Sequence, residues 1–176
     1  MIENQNIKGG KGVAYMYNVG DKVVYPMHGA GVIAGVEERV VLGEKKSYYI
    51  MNMPLGAMTV MIPVDNCDEI GVRYIIPESE ATKVLESFRT IEIDHDDNWN
   101  RRHRENMLKL KTGDIYRVVQ VVKTLMYMDR KKGLSTSERK MLGISRQIVI
   151  SELVLSGVAD VSDIESILRD TIEEML

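Results

Sequence analysis

The hydrophobic period changes from two to 3.6 at Pro77, and that change constrains the architecture more than any other feature of the chain. Between residues 20 and 76, short apolar or β-branched runs alternate with turn residues. The pattern predicts five strands, over residues 22–26, 31–41, 47–53, 58–63 and 71–76. His28-Gly29-Ala30-Gly31 supplies glycines for positive φ, while Leu42-Gly43-Glu44 and Pro54-Leu55-Gly56 read as turns. Five strands in under sixty residues imply a small, strongly bent sheet or barrel. Adjacent Tyr48 and Tyr49 must point to opposite faces, which predicts one in the core and one outside.

After Pro77 the spacing predicts about five helices. The first covers 78–89 with Ser79 as its N-cap, and the second runs from about 98 to 111. Thr112-Gly113-Asp114 ends the second and caps a third, from 115 to about 131. In the third, Ile115, Val118, Val119, Val122, Leu125 and Met126 form one apolar stripe. Ser135 and Glu138 make a capping box for a fourth helix reaching about 155, and a fifth follows Asp160. The predicted class is α+β, a small β domain at 16–76 followed by an all-α domain at 77–176. Residues 1–15 are polar, rich in glycine and lysine and without periodicity, and Met16 stands directly before the first patterned segment. A leader or upstream-start extension is expected there.

A single thiol, Cys67, rules out an internal disulfide and a cysteine-rich zinc cluster, so a reducing compartment fits. No stretch approaches the roughly 20 apolar residues of a membrane span, and the expected location is the cytoplasm. The formal net charge of −3 conceals a strong internal asymmetry. From Trp99 to Arg146, 13 Lys/Arg face four acids, a local balance of +9, while the segments on either side carry −5 and −6. Such a basic middle suits an anionic partner.

Catalytic signatures are absent: there is no nucleophile elbow, no phosphate-cradling glycine loop and no Cys/His pairing at nucleophile spacing. An enzyme is therefore not expected, and no cofactor is implied. Asp94-His95-Asp96-Asp97 with His103 could hold a divalent cation, although acids just before a helix are favoured by its dipole in any case, and no metal site is assigned. The sole tryptophan, Trp99, opens the second helix beside Arg101, Arg102 and Arg104. It shares a helical side with His103, Met107 and Leu110, which suits packing into the bundle. The competing reading is an aromatic group projecting from a helix end against nucleic-acid bases, with the cations on phosphates.

Six motifs in order resemble the CarD family of bacterial transcription regulators that bind RNA polymerase. They are Val19-Gly-Asp-Lys-Val-Val-Tyr-Pro-Met-His-Gly-Ala-Gly31, Thr59-Val-Met-Ile-Pro63, Trp99-x-Arg-Arg102, Lys109-Leu-Lys-Thr-Gly-Asp114, Gly133-Leu-Ser-Thr-Ser-Glu-Arg-Lys-Met-Leu142 and Arg146-Gln-Ile-Val-Ile-Ser-Glu-Leu153. The resemblance implies a Tudor-like first domain docking on the polymerase β subunit. It also implies a helical domain touching promoter DNA at the upstream edge of the melted bubble, where the tryptophan matching Trp99 wedges into the minor groove without reading sequence. The implied DNA-contacting set is Trp99, Arg101, Arg102 and Arg104. To these the charge pattern adds Lys109, Lys111, Arg130, Lys131, Lys132, Arg139 and Lys140. The implied polymerase contacts are Arg39, Val41, Thr59, Val60 and Met61; some family members carry arginine where this chain has Met61. A monomer is expected, with open strand edges through which a dimer could form. The rival readings are a stand-alone single-stranded nucleic-acid or RNA binding module, and a metal protein or enzyme centred on residues 94–103.

Overall fold

The structure, a computed structural model, describes residues 15–93 and 98–176. The expected leader at 1–15, apart from Tyr15, and the acidic run Asp94–Asp97 lie outside the described residues. Five antiparallel strands form one sheet: β1 (Lys22–Tyr25), β2 (Gly29–Val41), β3 (Glu44–Asn52), β4 (Thr59–Pro63) and β5 (Arg73–Tyr74), in the order β4-β3-β2-β1-β5. A short helix α1 (Cys67–Ile70) links β4 to β5, and the helical domain follows as α2 (Glu78–Thr90), α3 (Trp99–Lys111), α4 (Ile115–Lys132), α5 (Thr136–Ser156) and α6 (Val161–Glu173). The α+β class and the order of the five strands and five long helices are those the periodicity predicts, while α1 between β4 and β5 is an addition to them. One cap differs: α2 starts directly after Pro77, which occupies the N-cap position, and Ser79 sits inside the first turn.

Each domain has its own core. Tyr17, Val23, Ile33, Tyr49, Met51, Ile62 and Cys67 fill the β domain, and Tyr49 is the buried member of the tyrosine pair while Tyr48 is half-buried on the other face. Tyr15 and Tyr17 meet the Tyr49 ring edge-on at 6.2 and 5.7 Å, which ties the start of the described chain to the sheet. The helical core is built on α4, whose Val118, Val122 and Leu125 are completely buried, as the predicted stripe requires.

β2 and β3 cross so closely that Gly31 has no room for a side chain. A Cβ there would lie 2.6 Å from Met51 Cγ and 2.7 Å from the Asn52 carbonyl oxygen, and that oxygen cannot retreat without disturbing the ladder. Gly31→Ala is expected to destabilise the protein by about 2–3 kcal/mol through overpacking. Urea unfolding checks this; a change within about 0.5 kcal/mol, the range of an ordinary surface substitution, would contradict the close approach.

The two domains are joined by polar contacts between the sheet and α5. Ser151 Oγ accepts the Ala30 N–H at 2.8 Å, and Gln147 Nε2 donates to the His28 carbonyl at 3.1 Å. Glu152 is fully buried and takes both Arg73 guanidinium nitrogens, at 2.6 and 2.9 Å, together with the Ile76 N–H at 3.0 Å. Arg73 also donates to the Gly113 carbonyl at 2.8 Å, so one guanidinium connects β5, the α3–α4 turn and α5.

Candidate nucleic-acid interface

Three segments meet at the end of the bundle away from the sheet. Arg102 in the first turn of α3 reaches Glu138 in the first turn of α5, and Gly133 to Ser135 join the end of α4 to that same turn of α5, so the three helix ends share one end of the bundle. The direct link is a 2.6 Å hydrogen bond from Arg102 Nη2 on α3 to Glu138 Oε1 on α5. Asn98 caps α3 by accepting the Arg101 N–H, and Ser135 caps α5 by accepting the Glu138 N–H. Two helix N-termini therefore share this end with a cluster of cations, an arrangement favourable to phosphates.

Trp99 is 43% exposed and stacks on the His103 ring at 5.2 Å with a 20° tilt. It is not in the core. The side of α3 that faces the bundle carries Arg102, Asn106 and Leu110, with Met107 packed beside them on the helical core, so the second half of the stripe expected to include Trp99 packs inward while Trp99 itself lies outside. Arg101 and Arg104 are exposed nearby, and so are Arg130, Lys131 and Lys132 at the end of α4 and Arg139 and Lys140 at the start of α5.

Three of the sequence-derived DNA contacts do not join this cluster. Arg102 is 4% exposed, its guanidinium engaged with Glu138, so it stands behind the surface rather than on it. Lys109 and Lys111 occupy the far end of α3, with Lys111 roughly 18 Å from Trp99 at the helical rise per residue. Part of the basic charge is also neutralised. Arg130 pairs with Glu173 at 2.6 Å and Arg146 with Glu165 at 2.9 Å, both acids of α6. Lys123 is buried, donating to the carbonyls of Arg89 in the last turn of α2 and of Ile91 just after it, and burial pushes its pKa below the ordinary lysine value.

Glu138 has a role that its capping-box spacing only half reveals. Besides Arg102, its carboxylate accepts the Ser135 N–H at 3.0 Å and the Ser135 hydroxyl at 2.8 Å. Burial raises its pKa, but the Arg102 guanidinium and the Ser135 donors outweigh burial and hold the carboxyl below the ordinary glutamate value.

On the β domain, register sorts the expected polymerase contacts. Arg39 and Val41 pair with Lys46 and Glu44, and Thr59 and Met61 pair with Asn52 and Ile50. All four therefore project to the outer face, opposite the face that buries Tyr49 and Met51. Val60 pairs with Met51 and packs against the core, so it is displaced from that surface. Sequence reasoning missed Tyr48 and Ile50, half-buried on the same outer face, although the alternation that buries Tyr49 and Met51 already implies their direction.

Burial, followed by the nearby Asp68 and Asp65, pushes the Cys67 thiol up to about 11, so it is a poor nucleophile. Among the described residues no group of three or more His, Cys, Asp or Glu side chains could hold a metal ion. No helix among them is long and apolar enough to cross a membrane.

Residues 17–76 match the CarD-like/TRCF RID domain, and residues 83–169 match the CarD C-terminal domain. The chain belongs to the CarD family. A candidate transcription factor of Bacillus subtilis (strain 168), YdeB, is 38% identical to this CarD-family chain over 146 residues, covering 82% of this chain and 95% of YdeB. The solution NMR structure of the 72-residue N-terminal domain of Myxococcus xanthus CarD is 30% identical, covers 36% of this chain and 84% of its own, and superposes with a TM-score of 0.30. The boundary between the two family matches falls at the β5–α2 junction, where the hydrophobic period changes.

Proposed function

We propose that this CarD-family protein is a cytoplasmic, non-enzymatic transcription regulator that docks on the RNA polymerase β subunit and stabilises promoter open complexes. The observation that carries the reading is Trp99: a half-exposed aromatic at the start of α3, stacked on His103, with Arg101 and Arg104 exposed on the same helix and Arg139 and Lys140 exposed on α5 beside the Arg102–Glu138 contact. Such a group favours an unstacked, distorted DNA step over intact duplex, because an apolar wedge gains contact area only where the stack is already open. The cations then hold backbone phosphates on either side without reading bases. Binding one state of a two-state equilibrium about 2 kcal/mol more tightly shifts it about thirtyfold, enough to control a bubble that collapses easily.

The β domain supplies recruitment. Its outer face presents Arg39 and Val41 near the hairpin tip and Thr59 and Met61 on edge strand β4, with Tyr48 and Ile50 between them. An edge strand with a partly apolar outer face is suited to strand addition by the β subunit. Met61 makes that contact apolar where some relatives offer a guanidinium. Acting as a monomer with few phosphate contacts, the protein has weak, salt-sensitive affinity for DNA away from the polymerase.

The test is the lifetime of competitor-challenged open complexes of bacterial RNA polymerase on a promoter with an unstable bubble, with and without the protein. The expected result is a lengthening of about tenfold or more, corresponding to about 1.4 kcal/mol of differential binding. An unchanged lifetime with no polymerase binding would reject the proposal. Tight binding to single-stranded DNA or RNA in the absence of polymerase would favour a stand-alone nucleic-acid binding module instead.

A further inference from the structure

Helix α3 is attached to the bundle in an unusual way. Its buried side chains are Arg102, Asn106 and Leu110, so two of the three positions facing the bundle are polar, and the apolar one lies at the end remote from Trp99. Asn106 is 1% exposed, and neither amide atom has a hydrogen-bond partner among the described residues. Apolar burial therefore does little to fix the first two turns of α3. Arg102 reaches Glu138 instead, and both side chains are withdrawn from solvent, at 5% and 7% exposure.

The partner of Arg102 is itself constrained. Glu138 Oε2 is held by the backbone N–H and hydroxyl of Ser135, which leaves Oε1 aimed at Arg102. The neighbouring Arg139 donates from Nε to the Leu134 carbonyl at 3.2 Å, so the turn leading into α5 is fixed around the same point. Trp99 and Arg101 flank Arg102 on α3, while Arg139 and Lys140 flank Glu138 on α5. One buried ion pair thus connects the two halves of the cationic tip. Buried pairs of this kind contribute little net stability compared with apolar replacements, and their best-attested use is to fix one arrangement among several.

We infer that Arg102 is a positioning residue: through Glu138 it sets the direction of Trp99 and its distance from the cations at the start of α5, without touching DNA. The inference rests on the proposed wedge reading for its consequence, but the positioning itself is a property of the free protein.

Arg102→Met alone would leave the Glu138 carboxylate buried without its guanidinium, and could fail by unfolding. The informative variant is Arg102→Met combined with Glu138→Gln, since glutamine retains the capping-box role and leaves no buried charge at position 138. Arg102→Lys serves as the conservative control. Trp99 is the sole tryptophan, so its fluorescence anisotropy and acrylamide quenching report its own surroundings directly.

The expected result is a double variant that melts close to the parent, with Trp99 more mobile and more readily quenched. Its lengthening of open-complex lifetime should fall about fivefold or more relative to the parent, and Arg102→Lys should recover part of the loss. A folded double variant with parental anisotropy, quenching and lifetime would overturn the inference. If the parent protein itself leaves open complexes unchanged, the wedge reading fails. The fluorescence comparison then still decides whether Arg102 positions Trp99.

Discussion

Open complexes formed with Trp99→Ala are expected to lose most of the lifetime that the parent protein confers, by about tenfold or roughly 1.4 kcal/mol. Alanine removes the whole apolar wedge and leaves Arg101, Arg104, Arg139 and Lys140 in place, so contacts to phosphate survive while the preference for unstacked DNA disappears. Stability should barely change, because Trp99 is half-exposed and its main intramolecular contact is the stack on His103. That stack amounts to about 0.5–1 kcal/mol. Polymerase binding should also be unaffected, since the outer face of the sheet lies at the other end of the molecule. A variant with parental lifetimes would show that the cations act alone, and one that no longer binds polymerase would place Trp99 in the wrong interface.

The second large effect concerns stability. Glu152→Ala is expected to destabilise the folded chain by about 2–4 kcal/mol, somewhat below the range for a wholly buried pair because the Arg73 side chain is 33% exposed. Truncation leaves the Ile76 N–H without its acceptor, strips two hydrogen bonds from Arg73 and opens a space where a fully buried side chain stood. For a chain of this size the melting midpoint should fall by roughly 10 °C. Because Arg73 connects β5, the α3–α4 turn and α5, calorimetry should also show the β domain and the helical domain separating into two transitions. A single transition displaced by no more than about 2 °C would mean that water replaces the carboxylate without penalty.

The sequence made the architecture legible because both periods are clean. Alternation from Lys22 to Ile62 and the stripe from Ile115 to Leu125 each admit one secondary structure, and turn glycines and the Ser135–Glu138 box mark the joints. The site was legible only in part. Trp99 and the exposed cations of α4 and α5 could be read from charge and position, but the hydrophobic pattern of α3 holds only in its second half. Of the aligned Trp99, His103, Met107 and Leu110, the last two pack on the core, whereas Arg102 and Asn106 take the bundle-facing positions nearer the tip. At the tip a long-range contact takes over: Glu138, 36 residues away, pairs with the buried Arg102, and Trp99 stays outside. Such a contact has no local signature. The same limit applies to Lys109 and Lys111, which charge counting groups with Trp99 and helix geometry carries away from it.

The arrangement of α5 has a consequence for scale. Its first turn is pinned at Glu138 to α3, and its last turns are pinned at Ser151 and Glu152 to the sheet. Fourteen residues separate the two glutamates, about 21 Å of continuous helix and nearly four full turns, so both point to almost the same side. The distance between the sheet and the tip is thus measured by a rigid rod rather than by a loop. Adding one residue to that rod would swing the tip by about 100°. Adding seven would restore the facing and advance it by about 10 Å, some three base pairs along a DNA strand. In the proposed complex, the helix acts as a ruler that selects which step beside the bubble Trp99 meets.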